Sequence, residues 1–286
     1  MKENKPCIFA LFGNPVEHSL SPLMHNAAYR EMGLDAIYVP FCVENLPDAV
    51  KAVRTLGIRG VSVTLPFKTA VMQYLDAVDE TAKAVGAVNT ILNESGTLTG
   101  FNTDWAGLTH ALAEHLEIKG KTFAVIGAGG AARAAVFAVR RGGGTPLIYN
   151  RTEHKGRELA GLFGCRSYPL SSIADAEADC LIHATPVGMF PDTTGTPVPV
   201  EVLSRFRWVM DMIYNPLKTK FLKDAEKAGC KVISGCAMFV HQGAEQIRIW
   251  TAMEPPRALM AEVVVKKLNW SPPGIDPGKS PIIGKD

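Results

Sequence analysis

The stretch Thr122–Lys155, TFAVIGAGGAARAAVFAVRRGGGTPLIYNRTEHK, decides how the 286-residue chain is read. Phe123–Ile126 is a short apolar run of the kind that forms a strand buried on both faces. Gly127-Ala128-Gly129-Gly130-Ala131-Ala132 follows at once as G-x-G-x-x-A. A helical run over Ala131–Arg141, a stop at Gly142–Gly144 and a second strand over Pro146–Tyr149 come next. Strand, glycine turn, helix and strand in that order make half of a dinucleotide-binding unit. The first glycine permits the tight turn, and the second lets the backbone approach a pyrophosphate. The small Ala132 lets the helix pack close to the strand, and the amides at the helix start face the anion. Without its flanking strands the same loop would be only a glycine-rich turn.

The end of the second strand narrows the nucleotide. A ribose 2′-hydroxyl is met there by Asp or Glu. This chain has Asn150-Arg151-Thr152-Glu153-His154-Lys155 instead. Arg151 and Lys155 can pair a 2′-phosphate, Arg151 through its planar fork, and Thr152 can donate from its hydroxyl and its amide. The alternative is a solvated basic helix start, but cations there oppose the helix dipole unless an anion is near. NADP is the expected cofactor.

Composition bounds the rest. The chain is 47% hydrophobic and 20% charged, enough for a large core and two domains. A net charge of +2 implies neither a nucleic-acid nor a membrane partner. The apolar run in MKENKPCIFALFG is too short for a signal peptide, and no stretch is long enough to span a bilayer. Six cysteines without a C-x-x-C pair read as reduced core residues of a cytoplasmic protein. Seven histidines form no ligand set, so no structural metal is expected.

Other stretches place polar groups at the ends of expected strands. Ile8–Gly13 is a strand, and Ser19-Leu20-Ser21-Pro22 leads into a helix to about Met32. Ser21 before Pro22 suits an N-cap. Ser19 and Ser21 equally bring two hydroxyls to a helix start, where a small carboxylate can sit. Strands over Ile37–Val43 and Gly60–Leu65 flank a helix over Leu46–Leu56. The second of them ends in Thr64 and then Pro66-Phe67-Lys68. Lys68 reads either as a surface cation at a helix start or as a partly desolvated amine fit for catalysis. Asn89 enters a strand, Asn93–Gly96 makes a hairpin turn, and Asn102-Thr103-Asp104 caps a helix to about Leu116. Asp104 is on its own an ordinary N-cap. Further strands over Cys180–Thr185, Trp208–Tyr214 and Lys231–Ser234 alternate with helices, the last two over Met238–Trp250 and from Pro256 to near Trp270. This alternation predicts an α/β chain. A mixed sheet lies within residues 1–103, and a parallel sheet with helices on both faces runs from Thr122 to Gly235.

With these residues laid out, the chain resembles the shikimate dehydrogenase family up to about residue 270. The matching pieces are Ser19–Asn26, Val63–Lys68, Gly86–Thr90, Gly100–Asp104, Gly127–Arg133, Asn150–Thr152, Asp211–Tyr214 and Gln242–Gln246. The resemblance implies reversible NADPH-dependent reduction of 3-dehydroshikimate to shikimate, a step towards aromatic amino acids. It implies a substrate domain from residues 1–103 with 238–270, a Rossmann-type NADP domain over 104–237, and an irregular tail over 271–286. A monomer or homodimer is expected.

By the same resemblance Ser19 and Ser21 hold the substrate carboxylate, with Tyr214 closing that end. Thr64, Asn89, Asp104 and Gln242 bind the ring hydroxyls, and Lys68 and Asp104 flank the reacting carbonyl. Gly127, Ala128, Gly129, Gly130 and Ala131 take the pyrophosphate, and Asn150, Arg151, Thr152 and Lys155 the 2′-phosphate. Thr185, Met212, Gly235 and Met238 lie along the ribose and nicotinamide. Glu80 matches a family position near the cofactor without a physical reason of its own. Two departures bear on nicotinamide-side packing: His183 stands where Asn is usual, and Phe239 where Leu is usual. Two rival readings are a quinate/shikimate dehydrogenase with relaxed substrate or NAD use, and a non-catalytic NADP-binding sensor. A sensor has no need of both Lys68 and Asp104.

Overall fold

The computed structural model describes residues 6–269. β1 (Cys7–Gly13), buried over its last five residues, is the anchor of the first sheet. It pairs in parallel with β2 (Ala36–Cys42) on one side and β3 (Gly60–Val63) on the other. α1 (Ser21–Glu31) and α2 (Leu46–Thr55) make the crossovers. Beyond β3 come β4 (Ala77–Val78) and α3 (Glu80–Val85), which ends on left-handed Gly86. β5 (Thr90–Glu94) and β6 (Thr97–Phe101) then form an antiparallel hairpin. Its two turn residues, Ser95 and Gly96, have φ of 54° and 95°, the left-handed pair that matches strand twist. The six strands lie in the order β2-β1-β3-β5-β6-β4, a mixed sheet as expected.

α4 (Asp104–Ala113) leads to the second sheet, whose strands are β7 (Thr122–Ile126), β8 (Thr145–Asn150), β9 (Arg166–Pro169), β10 (Cys180–His183), β11 (Trp208–Asp211) and β12 (Lys231–Ile233). All pair in parallel, in the order β12-β11-β10-β7-β8-β9. The order reverses between β7 and β10, which opens a crevice at their carboxyl ends. α5 (Gly130–Arg141), α6 (Glu153–Phe163), α7 (Val200–Leu203) and α8 (Lys220–Lys227) complete the unit. Both faces of the sheet are covered. Phe123, Val125, Ile182 and Met210 pack on one side, and Ala124, Leu181, Val209 and Phe221 on the other. That double burial is why these strands read as unbroken apolar runs.

α9 (Gly235–Thr251) and α10 (Arg257–Asn269) return to the first sheet. Phe239, Val240, Ile247 and Trp250 of α9 share a core with Phe9, Tyr29 and Tyr38. The Trp250 indole N–H donates to the Ile91 carbonyl at 2.9 Å. α9 also crosses α4 with almost no space between backbones. A Cβ at Gly107 would lie 2.8 Å from the Met238 carbonyl oxygen and 3.0 Å from the Gln242 nitrogen.

Several boundaries differ from expectation. α4 stops at Ala113 rather than Leu116, and α8 begins at Lys220 rather than Leu217, because the Thr219 hydroxyl caps it by accepting from the Leu222 amide. β4, the 3₁₀ turns Ala70–Tyr74 and Leu170–Asp175, and the short α7 were not legible as elements. The expected tail over 271–286 and a helix end at Trp270 lie outside the described residues. The six cysteines are free, and Cys42 is exposed rather than in a core. No helix among the described residues is long and apolar enough to cross a membrane.

Candidate active site

The helix start at Asp104 organises the site. Asp104 reads from its neighbours as a cap, but the capping is done two residues earlier. Asn102 Oδ1 accepts from the amides of Asp104 at 3.0 Å and Trp105 at 3.4 Å, while its Nδ2 donates to the Ala87 carbonyl at 2.8 Å. The Asp104 carboxylate is thereby released to face inward. Its Oδ2 accepts from Lys68 Nζ at 2.6 Å and its Oδ1 from Asn89 Nδ2 at 2.9 Å. The side chains are 17% and 6% exposed for Lys68 and Asp104, so Lys68 is no surface cation. A pair this far from water loses hydration and is held only where each charge keeps hydrogen bonds.

Asn89 stands just before β5, and the antiparallel pairing of β5 with β3 sets it beside the carboxyl end of β3. Its Nδ2 also donates to Thr103 Oγ1 at 2.9 Å and lies 3.4 Å from Gln242 Oε1, while its Oδ1 accepts from the Thr103 amide and Thr90 Oγ1, each at 2.8 Å. Beneath it lies Gln246, given no role from the sequence and only 2% exposed. Gln246 Nε2 donates to the Asn89 carbonyl at 3.1 Å and Thr90 Oγ1 at 3.0 Å, and its Oε1 accepts from Ser62 Oγ at 2.8 Å. Gln246 lies one helical turn beyond Gln242 on α9, a spacing that could have marked both as facing the sheet.

At the same, carboxyl end of the first sheet, beyond β1, Leu20 rather than Ser21 is the N-cap of α1, and no side chain caps it. Ser21 is the first helical residue, so its hydroxyl is not spent on capping. Ser19 Oγ accepts from the Ser21 amide at 3.2 Å, and Tyr214 Oη accepts from the Leu20 amide at 3.4 Å. Burial pushes the Tyr214 phenol up from its ordinary value. Its ring stacks on Phe239 with centroids 3.9 Å apart. Phe239, where the family usually has Leu, thus packs against the serine and tyrosine end, in the core of the first sheet. Thr64, half-buried, follows β3, and a Cβ at Gly13 would lie 2.4 Å from its methyl.

Across the crevice the glycine loop keeps its backbone open. Gly127 has φ of 124°, and a Cβ there would lie 2.9 Å from the Ala184 carbonyl oxygen, so only glycine fits. Gly129 has open space where a Cβ would be, and Gly130 begins α5 with no side-chain cap on its amides. Arg151 and Lys155 are exposed, and Glu153 is bound to Arg157 at 3.0 Å instead of to them. Thr152 begins α6 without using its hydroxyl as a cap. Gly235 is pressed against the Met212 carbonyl, where a Cβ would lie at 2.5 Å. Met238 is 6% exposed and packs in the core of the second sheet. Thr185, half-buried at the end of β10, bonds to His183, as described below. Glu80 is an exposed partner of Lys83. Among the described residues no group of His, Cys, Asp or Glu could hold a metal ion.

A doubly wound sheet takes its ligand at the switch point, and here an uncapped helix start and free cations await an anionic one. A buried cation–carboxylate pair facing that point suits a carbonyl gaining hydride. The class is the dinucleotide-dependent oxidoreductase built on two α/β sheets. Family models for a shikimate dehydrogenase substrate binding domain and a shikimate 5′-dehydrogenase C-terminal domain match residues 11–91 and 235–265. A shikimate dehydrogenase (NADP(+)) of Methanothermobacter thermautotrophicus is 42% identical over 281 residues, covering 94% of this chain and 99% of that one. A crystal structure of a shikimate dehydrogenase in complex with NADP+ superposes with a TM-score of 0.87 at 40% identity, over 94% of this chain and 98% of that one. The Thermus thermophilus shikimate 5-dehydrogenase in complex with NADP(H) and shikimate gives 0.83 at 40% identity, over 91% and 99%. The chain belongs to the shikimate dehydrogenase family.

Proposed function

We propose that the chain reversibly reduces 3-dehydroshikimate to shikimate with NADPH. The observation that carries this reading is the part-buried Lys68–Asp104 pair, 2.6 Å apart, with the lysine stem against Gly130 of the nucleotide loop. The residues present fit the cofactor: Gly127 turns the loop, its own amide bound to the Tyr149 carbonyl at 3.0 Å, and Ala128, Gly129, Gly130 and Ala131 bring amides at the uncapped start of α5 to a pyrophosphate. Asn150 Nδ2 holds the Thr152 carbonyl at 2.7 Å, which fixes the turn from which Arg151, Thr152 and Lys155 meet a 2′-phosphate. Thr185, Met212, Gly235 and Met238 flank the nicotinamide end. When bound, NADPH supplies the hydride.

The chain's own residues do the rest. Ser19, Ser21 and Tyr214 orient the substrate carboxylate, and Thr64, Asn89 and Gln242 the hydroxyls. A buried polyol needs this many partners, since each unpaired polar group costs roughly 1–3 kcal/mol. Lys68 stabilises the alkoxide that forms at the reduced carbon, and Asp104 holds the ammonium in place and shares its proton. Residues 1–103 with 238–270 act as the substrate domain and 104–237 as the NADP domain. The working protein is a cytoplasmic monomer or homodimer with no nucleic-acid partner.

The test is to mix the protein with NADP and shikimate, then with quinate, and follow the absorbance of reduced nicotinamide. Reduction with shikimate and not quinate is expected. Equal rates with both would replace the specific enzyme by the relaxed one, and no reduction with either would leave a binding protein.

A further inference from the structure

His183 lies at the end of β10, 0% exposed, and is not used by the reaction described above. Its Nδ1 is 3.1 Å from Asp211 Oδ1, and its Nε2 is 2.5 Å from Thr185 Oγ1. The hydrogens on this chain can be assigned in order. Thr219 Oγ1 accepts from the Leu222 amide at 3.3 Å, so its proton goes to Asp211 Oδ2 at 2.6 Å. The Ile213 amide donates to Asp211 Oδ1 at 3.0 Å. Every partner of Asp211 is thus a donor, and His183 Nδ1 must carry a hydrogen towards it. In the neutral ring Nε2 is then bare and accepts the hydroxyl proton of Thr185. Thr185 Oγ1 also accepts from the Val187 amide at 3.4 Å, which leaves it one further lone pair.

Around the ring, β7 contributes Ile126 in register with His183, and α8 contributes the Phe221 ring at 5.3 Å. β11 contributes Asp211, which among the described residues is the one charged group in hydrogen-bond contact with the ring. Thr185 itself touches the nucleotide loop: a Cβ at Gly127 would lie 3.2 Å from its methyl. The buried chain Thr219–Asp211–His183 therefore surfaces at the cofactor site through one hydroxyl.

We propose that His183 is a positioning residue of the cofactor site, holding the Thr185 proton on Nε2 so that Thr185 meets the nicotinamide end of the cofactor as a hydrogen-bond acceptor. The inference rests on the NADP assignment above. It selects a donor on the ligand, a carboxamide amine or a ribose hydroxyl.

Two measurements test this. Nitrogen NMR of the imidazoles in the ligand-free protein is expected to show His183 with hydrogen on Nδ1 alone at about pH 8. Hydrogen on Nε2 would overturn the inference without any variant. Next, calorimetric NADP titrations without substrate compare the wild type, His183→Asn and Thr185→Val. Asn keeps a donor for Asp211 but has no atom at the Nε2 position to take the Thr185 proton. Both variants should bind NADP roughly three- to tenfold more weakly than the wild type. Wild-type affinity in either variant would overturn the inference. A wild type that binds no NADP would remove the cofactor assignment itself.

Discussion

Gly130 lies against the stem of Lys68: a Cβ there would stand 3.1 Å from Lys68 Cβ and 3.2 Å from its Cδ. The first helical residue of the nucleotide loop and the candidate proton-handling lysine thus form one wall, although they belong to different sheets. The ammonium reaches Asp104 by running along the glycine backbone, which leaves no room for a side chain. The candidate cofactor and substrate groups meet at this contact and not at a single strand end.

Lys68→Met, which keeps the apolar stem and removes the charge, should lose roughly a thousandfold or more in turnover while binding both ligands near normally. Steady-state kinetics with separate binding titrations read both quantities. A variant within tenfold of wild type would make the lysine a spectator.

Arg151→Ala should raise the Michaelis constant for NADP far more than for NAD, because a charge-assisted bond to the 2′-phosphate is lost only with NADP. Arg151 has no carboxylate partner among the described residues, so its removal leaves no buried charge behind. Equal losses with the two cofactors would move the phosphate site elsewhere.

Replacing Ser19 and Ser21 together by Ala should raise the Michaelis constant for shikimate roughly tenfold or more and leave NADP affinity unchanged. Ser21 does not cap α1, so thermal stability should fall by less than the ~1 kcal/mol usual for a lost cap. A destabilised variant with normal shikimate binding would return the serines to a structural role.

Stability should depend on pH through His25. Its Nδ1–H donates to the Ser21 carbonyl at 2.9 Å, and its fully buried ring stacks on Tyr38 at 4.2 Å. Burial pushes its pKa down to about 4 from 6.5. Between these values the unfolded chain binds the proton and the folded chain does not. The contribution is therefore complete above about pH 6.5 and is lost as pH falls to about 4, a change of roughly 3 kcal/mol. Melting temperatures across that range should fall less steeply in His25→Asn. Parallel curves would assign the slope to other groups.

Much of this was legible in the chain because the second sheet is covered on both faces, so its central strands read as apolar runs and the crossovers through α5, α6 and α8 as helices. The glycine loop was legible for the same reason: turn geometry and phosphate approach are local demands. Asp104 was harder. Asn102 and Asp104 are both good capping residues, and only the fold shows that Asn102 takes the amides. Lys68 was open between surface and site because its partner lies 36 residues away. The Ser62–Gln246 bond spans 184 residues and leaves no local trace at all. The stack of Phe239 on Tyr214 was not legible either, since Tyr214 comes from the loop after β11.

The crossing of α4 and α9 at Gly107 acts as a fixed gauge. Backbone meets backbone there, where a Cβ would lie 2.8 Å from the Met238 carbonyl oxygen and 3.0 Å from the Gln242 nitrogen. Asp104, one turn before Gly107, and Gln242 therefore have their spacing set by this one contact between helices and not by either sheet. Gly107→Ala would wedge the gauge open and should cost roughly 1–3 kcal/mol, read as a lower melting temperature. An unchanged melting temperature would show that the helices can part there freely.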